Sequence, residues 1–310
     1  MNHAARAVFP IVLLLTAGGL CSAEAVHGAM LRVATIYIAP DASSAKLGDI
    51  DRGREVIVLE TSRDWLKVEA NLTEERTITG WLLGKGAVLA STPNGDRILF
   101  GEAVDSEDQA SQRQGRRGAA QDAMQLYYRV FDLFPKSPLA GESLYRAADI
   151  KWQIEKADVM SRPSAREKEA FLREGMNEDL MRQVIKKFPG SKWADLAAFH
   201  LIENKLCGDW QGSSKCPEKE AEIYEKYARE HPQSPADAEA LYDAAWRFSA
   251  LIEIYKTEDQ AKKSDQSKDK AIATAQKVAT DFPQSDWGAR AERLLYLIQQ
   301  GVPTYGNAQQ

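Results

Sequence analysis

The chain has little of the material from which active sites are built: 310 residues contain 4 His and 3 Cys. No His-Glu-x-x-His or other zinc spacing occurs. There is no Gly-x-Gly-x-x-Gly and no Gly-x-Ser-x-Gly, and Gly84-Lys85-Gly86 lacks the rest of a phosphate loop. An excess of basic charge is missing too. The net charge is −5, with 9 basic and 10 acidic residues over 26–100 and 30 and 34 over 101–310. A nucleic-acid surface needs a basic patch, so nucleic acid is excluded as a partner. These absences lead to the expectation that the protein is not an enzyme and has no catalytic, cofactor-binding or metal-binding residue. Paired carboxylates such as Glu218 and Glu220 have a simpler role at a charged helix start, where they suit the macrodipole. His231 reads as a packed residue.

Long apolar runs are also scarce. Val8 to Leu15, broken by Pro10 and preceded by Arg6, is too short to span a membrane and remain there. With the small residues before Ala23-Glu24-Ala25 it reads as a secretory signal over 1–25, cleaved after Ala25 or, second choice, Ala23. The expected location is therefore secreted, in the periplasm, with no transmembrane segment in the mature chain. Cys21 offers a rival reading as a lipidated residue, but Leu20 stands where such sites usually have Gly, Ala or Ser.

What the chain does have is a phrase repeated four times: Phe134-Pro135-Lys136-Ser137, Phe188-Pro189-Gly190-Ser191, His231-Pro232-Gln233-Ser234 and Phe282-Pro283-Gln284-Ser285. Pro cannot continue a helix and Ser caps the next one, so each copy joins two helices. Six residues after the Ser stand Ser143, Ala197, Ala240 and Ala291; ten after it stand Ala147, Leu201, Ala244 and Leu295. This makes an apolar stripe narrow enough for close helix packing. Five residues before each Pro stand Val130, Val184, Tyr227 and Val278, and eight before it Tyr127, Met181, Tyr224 and Ala275, forming a second apolar face. The predicted helices are 119–134, 137–158, 164–188, 191–207, 217–231, 234–256, 267–282 and 285–300, with Thr257 to Lys270 as a solvated loop.

Helix pairs repeated in this way resemble the tetratricopeptide family, and the Phe-Pro-x-Ser phrasing is most similar to the periplasmic repeat proteins BamD and CpoB of bacterial envelopes. The Pro-to-Pro spacings of 54, 43 and 51 residues exceed the usual 34, so helices or loops must be longer than in a minimal repeat. The resemblance implies an all-α, tetratricopeptide-like helical-hairpin solenoid of about eight helices over 119–300. It also implies a groove for protein partners, in envelope or outer-membrane assembly or maintenance. Aromatic Tyr145 and Tyr242, eight residues after their Ser, either face that groove as partner-binding residues or pack between hairpins.

Residues 26–90 have short β-rich runs divided by turns, which reads as a small all-β barrel. Ile36-Tyr37-Ile38-Ala39-Pro40, Leu47-Gly48, Gly53 before Glu55-Val56-Ile57-Val58-Leu59, Asp64-Trp65-Leu66-Lys67-Val68 and Gly80-Trp81-Leu82 resemble the bacterial SH3-like domain. That family often accompanies cell-wall enzymes and binds peptidoglycan or proteins. The resemblance thus implies an alternative function, a peptidoglycan-binding accessory protein anchored through its barrel. Trp65 and Trp81 either fill the core, as Trp after Asp and after Gly more often do in small barrels, or form a ligand platform.

Polar, Gly-containing 91–118 reads as a linker, and 301–310 as a flexible tail. Cys207 and Cys216 are the only cysteines left after signal removal. They lie in one loop, between a helix ending at Gly208 and one beginning near Pro217, and are expected to form a disulfide in an oxidising compartment.

Overall fold

The computed structural model describes residues 25–73 and 75–306. The expected signal as far as Glu24, including Cys21, and tail residues 307–310 lie outside the described residues. Strands β1 (Val26–Met30), β2 (Ala34–Tyr37), β3 (Lys46–Ile50), β4 (Glu55–Ser62), β5 (Trp65–Asn71), β6 (Thr77–Leu83) and β7 (Ala87–Leu89) come first. They pair antiparallel in one sheet of order β3-β2-β6-β5-β4-β1-β7. Alternation assigns the faces. Leu66, Val68 and Ala70 of β5, Leu82 of β6, Ile36 of β2 and Val56 of β4 are buried in one core with Met30 and Ile50.

Helices follow: α1 (Gly95–Ser111), α2 (Ala119–Leu133), α3 (Ala140–Val159), α4 (Asp179–Lys187), α5 (Lys192–His200), α6 (Lys215–Glu230), α7 (Asp237–Thr257), α8 (Ala261–Asp281) and α9 (Asp286–Gln299). The architecture is thus an SH3-like sheet followed by an all-α part of nine helices among the described residues, one more than expected. The additional helix corrects the linker, because α1 fills most of 91–118. It buries Leu99, Ala103 and Ser106, at spacings of four and three that place them on one face.

That face makes a joint with the barrel. Ala29 and Val88 share a core with Leu99, Ala103, Leu126, Tyr127 and Val130, so β1 gives Ala29 to the helices and its neighbour Met30 to the barrel. Gly53 has φ +72, and a Cβ there would lie 2.7 Å from Gln125 Cβ and 3.0 Å from Leu126 N. Only glycine allows both that backbone and that approach. Arg52 beside it donates from Nη1 to Glu102 Oε1 of α1 at 2.6 Å, and Arg32 reaches the same carboxylate. The two parts are therefore packed together rather than strung on a solvated linker.

The four repeated phrases join α2 to α3, α4 to α5, α6 to α7 and α8 to α9. Phe134, Phe188, His231 and Phe282 all adopt nearly one backbone conformation, φ −124 to −129 and ψ 48 to 58. In each, the Ser N–H donates back to the carbonyl three residues earlier, at 2.9 to 3.2 Å. Ser191 and Ser285 then cap their helices, accepting from Ala194 N at 3.2 Å and Gly288 N at 3.0 Å. Ser137 and Ser234 precede Pro138 and Pro235, and a residue before Pro avoids the helical region. Their hydroxyls accept from Leu139 N and Ala236 N, both at 3.1 Å, and the helices start three residues later.

Four further boundaries differ from expectation, and one of them is the predicted helix 191–207, which is α-helical only as far as His200 and is followed by a 3-10 turn at Glu203–Lys205. The predicted helix 164–188 is helical only over Asp179–Lys187; before it come 3-10 turns at Pro163–Arg166 and Ala170–Leu172 and extended backbone. Asn204 holds that stretch, its side chain accepting from Met176 N and donating to Met176 O. The predicted loop 257–270 is mostly the first half of α8, whose small residues Ser264, Ser267 and Ala271 are buried. Residues 301–306 of the expected tail are held: Thr304 Oγ1 lies 2.7 Å from Ser249 Oγ, and the Tyr305 ring is centred 5.2 Å from Trp210. Among the described residues no helix is long and apolar enough to cross a membrane.

Candidate functional site

The strand alternation that buries Leu66 and Leu82 turns their neighbours Trp65 and Trp81 to the opposite face. Both are half-buried there rather than in the core, which corrects the core reading. β2 brings a third ring: Tyr37 pairs in register with Trp81 and meets Trp65 edge-on, with centroids 5.7 Å apart and planes at 85°. Lys67 pairs with Trp81 across β5 and β6 and holds its ammonium 5.9 Å from the Trp81 ring. Leu83, opposite Trp65, is 45% exposed. Tyr37, Trp81, Lys67, Trp65 and Leu83 thus form a strip of flat apolar surface with one cation.

Beside Leu83 the strip reaches a shallow pocket of about 520 Å³ that includes Arg63, Asp64, Gly84 and Lys85. Such a surface can stack on the apolar face of a sugar ring or on an extended peptide, and the charges at its end can pair with carboxylates and amines. The alternation of apolar Leu66 and Val68 was the signal in the sequence that could have placed the two tryptophans outside.

Tyr145 and Tyr242 are used between hairpins. Tyr145 stacks on Trp193, with centroids 5.4 Å apart and planes at 28°, and Tyr242 lies 5.3 Å from Trp287. Each Trp stands two residues after the Ser of the hinge that follows, so one repeat's Tyr receives a later repeat's Trp. The Tyr145 hydroxyl is 3.2 Å from His200 Nε2. Burial pushes the Tyr145 phenol well above its usual value, with help from nearby Asp149.

His231, His200 and Arg116 also have structural partners. His231 stacks on Tyr227, with centroids 4.7 Å apart, and its Nδ1 is 2.8 Å from Asp195 Oδ1. His200 is half-buried beside Trp152; its partial burial pulls its imidazole below the ordinary value of 6.5, against the attraction of Asp149 and Glu203. Arg116 pairs with Asp122 at 2.6 Å.

Cys207 and Cys216 form a disulfide, with Cα atoms 6.1 Å apart. The loop it closes lies over Glu220, whose Oε1 accepts from Cys207 N at 2.9 Å and Trp210 Nε1 at 3.2 Å, and whose Oε2 accepts from Arg247 Nε at 2.8 Å. Glu220 therefore has a purpose beyond the helix start, a buried hub that the sequence reading missed. No pattern of spacing marks it, because Arg247 is 27 residues away.

Compared with known families, residues 32–89 match the model of the bacterial SH3 domain. That match spans β2 to β7 and contains the whole aromatic strip; the helical region follows it. No curated protein matches the chain.

Proposed function

We propose that this chain is a non-enzymatic scaffold of the bacterial envelope, acting outside the cytoplasm. Its SH3-like barrel holds it on peptidoglycan, and its helical hairpins, of the tetratricopeptide type seen in BamD and CpoB, take a protein partner in envelope assembly or maintenance. The observation that carries this reading is the outward strip of Tyr37, Trp65 and Trp81 across three strands. Three large rings on one face of a small barrel are a surface that a monomer in water does not need. The match to the bacterial SH3 domain supports a cell-wall-associated role. The disulfide supports an oxidising compartment, and so does the expected secretory signal. The histidines His200 and His231 serve packing and pairing, which supports binding rather than catalysis.

The test is co-sedimentation of the purified chain with peptidoglycan sacculi freed of protein. Saturable binding is expected. A chain that stays in the supernatant at every sacculus concentration contradicts the wall half of the reading and leaves the helical part as the only binding element.

A further inference from the structure

The two hairpins on either side of the disulfide do not close on each other completely. Between α5 and α6 lies a cleft of about 810 Å³. Its floor is apolar: Leu201 and Ile202 at the end of α5 are buried, and Ala198 and Ile223 are half-buried. The stretches that make its rim are parts of the long inter-hinge spacings. The 3-10 turn Ala170–Leu172 carries Phe171, which is 81% exposed, and the Cys207–Cys216 loop forms the other end.

The charge of the rim runs against that of the chain. Lys215, Lys219, Ile223 and Lys226 of α6 fall at spacings of four, four and three and so share one face, and Lys205 approaches from the connection after α5. Two of these four lysines are matched, Lys215 with Glu169 at 3.4 Å and Lys226 with Glu230 at 3.8 Å. Lys205 and Lys219 are exposed and, among the described residues, make no ion pair. A protein of net charge −5 thus concentrates free positive charge around its apolar cleft.

We propose that the α5–α6 cleft binds an acidic segment of a protein partner, with large apolar side chains seated on Leu201, Ile202 and Ile223 and carboxylates toward Lys205 and Lys219. Charge complementarity selects this occupant: apolar floors give area without direction, whereas unmatched lysines at the rim favour carboxylates and disfavour basic segments. The proposal rests on the adaptor half of the proposed function and names the chemistry of its partner. Phe171, projecting from the rim, covers the seated segment. The disulfide fixes the end of the cleft where α6 begins.

The experiment uses the full chain and a fluorescein-labelled amphipathic peptide with Leu on one face and Glu on the other, followed by anisotropy. A peptide with every Glu replaced by Gln is the control. Saturable binding of the Glu peptide is expected, weakened by salt. Binding to a chain carrying both Lys205→Glu and Lys219→Glu is expected to fall about tenfold or more. Both lysines are exposed, so the variant keeps the native thermal midpoint. Lack of saturable binding, or equal binding by native and charge-reversed chains or by Glu and Gln peptides, overturns the proposal. Self-association by sedimentation that disappears in the charge-reversed chain also overturns it, by giving the cleft to a second copy. Sacculus binding is unaffected by the two substitutions, so failure here is distinguishable from failure of the wall-binding reading.

Discussion

Arg247 donates its Nε to Glu220 at 2.8 Å with both side chains buried, 8% and 2% exposed. The guanidinium also lies 4.4 Å from the centre of the Tyr224 ring. Arg247→Met leaves Glu220 buried without its cation, and removing one partner of a buried pair costs about 3–5 kcal/mol. Urea unfolding of the variant is expected to show a loss of that size. A loss below about 1 kcal/mol would mean that Glu220 is satisfied by Cys207 N and Trp210 Nε1 without the arginine.

The disulfide above this pair closes a short loop, so its removal gives a bounded effect. Replacing Cys207 and Cys216 together by Ser is expected to lower stability by about 2–3 kcal/mol on the chain-entropy argument. Intact mass after alkylation without reductant checks the bond directly. Two alkylated thiols in protein taken from an oxidising compartment would contradict it.

Gln233 has φ +70 at the third position of its hinge, where the second hinge has Gly190 at φ +71. A side chain in the left-handed region is strained, and glycine is not, although glycine has more freedom to lose on folding. Gln233→Gly is expected to raise stability by about 0.5–1 kcal/mol, and Gly190→Ala to lower it by about 1 kcal/mol. Chemical denaturation midpoints of the two variants should therefore move in opposite directions.

His200 supplies a pH dependence. Burial depresses its folded pKa below 6.5, so the unfolded chain takes up the proton first. Its contribution to stability is full above about pH 6.5 and is lost as pH falls from there toward the depressed folded value. His200→Gln removes that part of the slope. Unfolding midpoints between pH 7.5 and 5.5 are expected to fall more steeply for the native chain than for the variant, and parallel curves would contradict the assignment.

Much of the helical part was legible because its punctuation is covalent. Pro forces each hinge, Ser caps or turns it, and the small residues Ser143, Ala197, Ala240 and Ala291 leave a clear stripe, all fully buried. Helix α1 was not legible: its buried residues are Gly95, Leu99, Ala103 and Ser106, of which Leu99 alone is large and apolar, and Gly101 lies within it. The first half of α8 was hidden for the same reason, its contact face being Ser264 and Ser267 rather than large apolar residues.

In the barrel the strands were visible but the sides of Trp65 and Trp81 were not, because size argued for the core while parity argued for the outside. Parity prevailed, since Leu66 and Leu82 cannot leave the core without slipping the register of β5 and β6. The Glu220–Arg247 hub and the α5–α6 cleft depend on contacts far apart in sequence. No local pattern announces such contacts.

The most direct measurement is the affinity of the full chain for protein-free sacculi when the strip is removed. Trp65→Ala with Trp81→Ala takes away two rings from the outer face and leaves Leu66, Val68 and Leu82 in the core. Truncating such aromatic anchors is expected to weaken sacculus binding about tenfold or more. Circular dichroism and peptide binding at the α5–α6 cleft should stay as in the native chain. Unchanged sacculus binding by the double variant, with its fold intact, would contradict the assignment of this face to the wall.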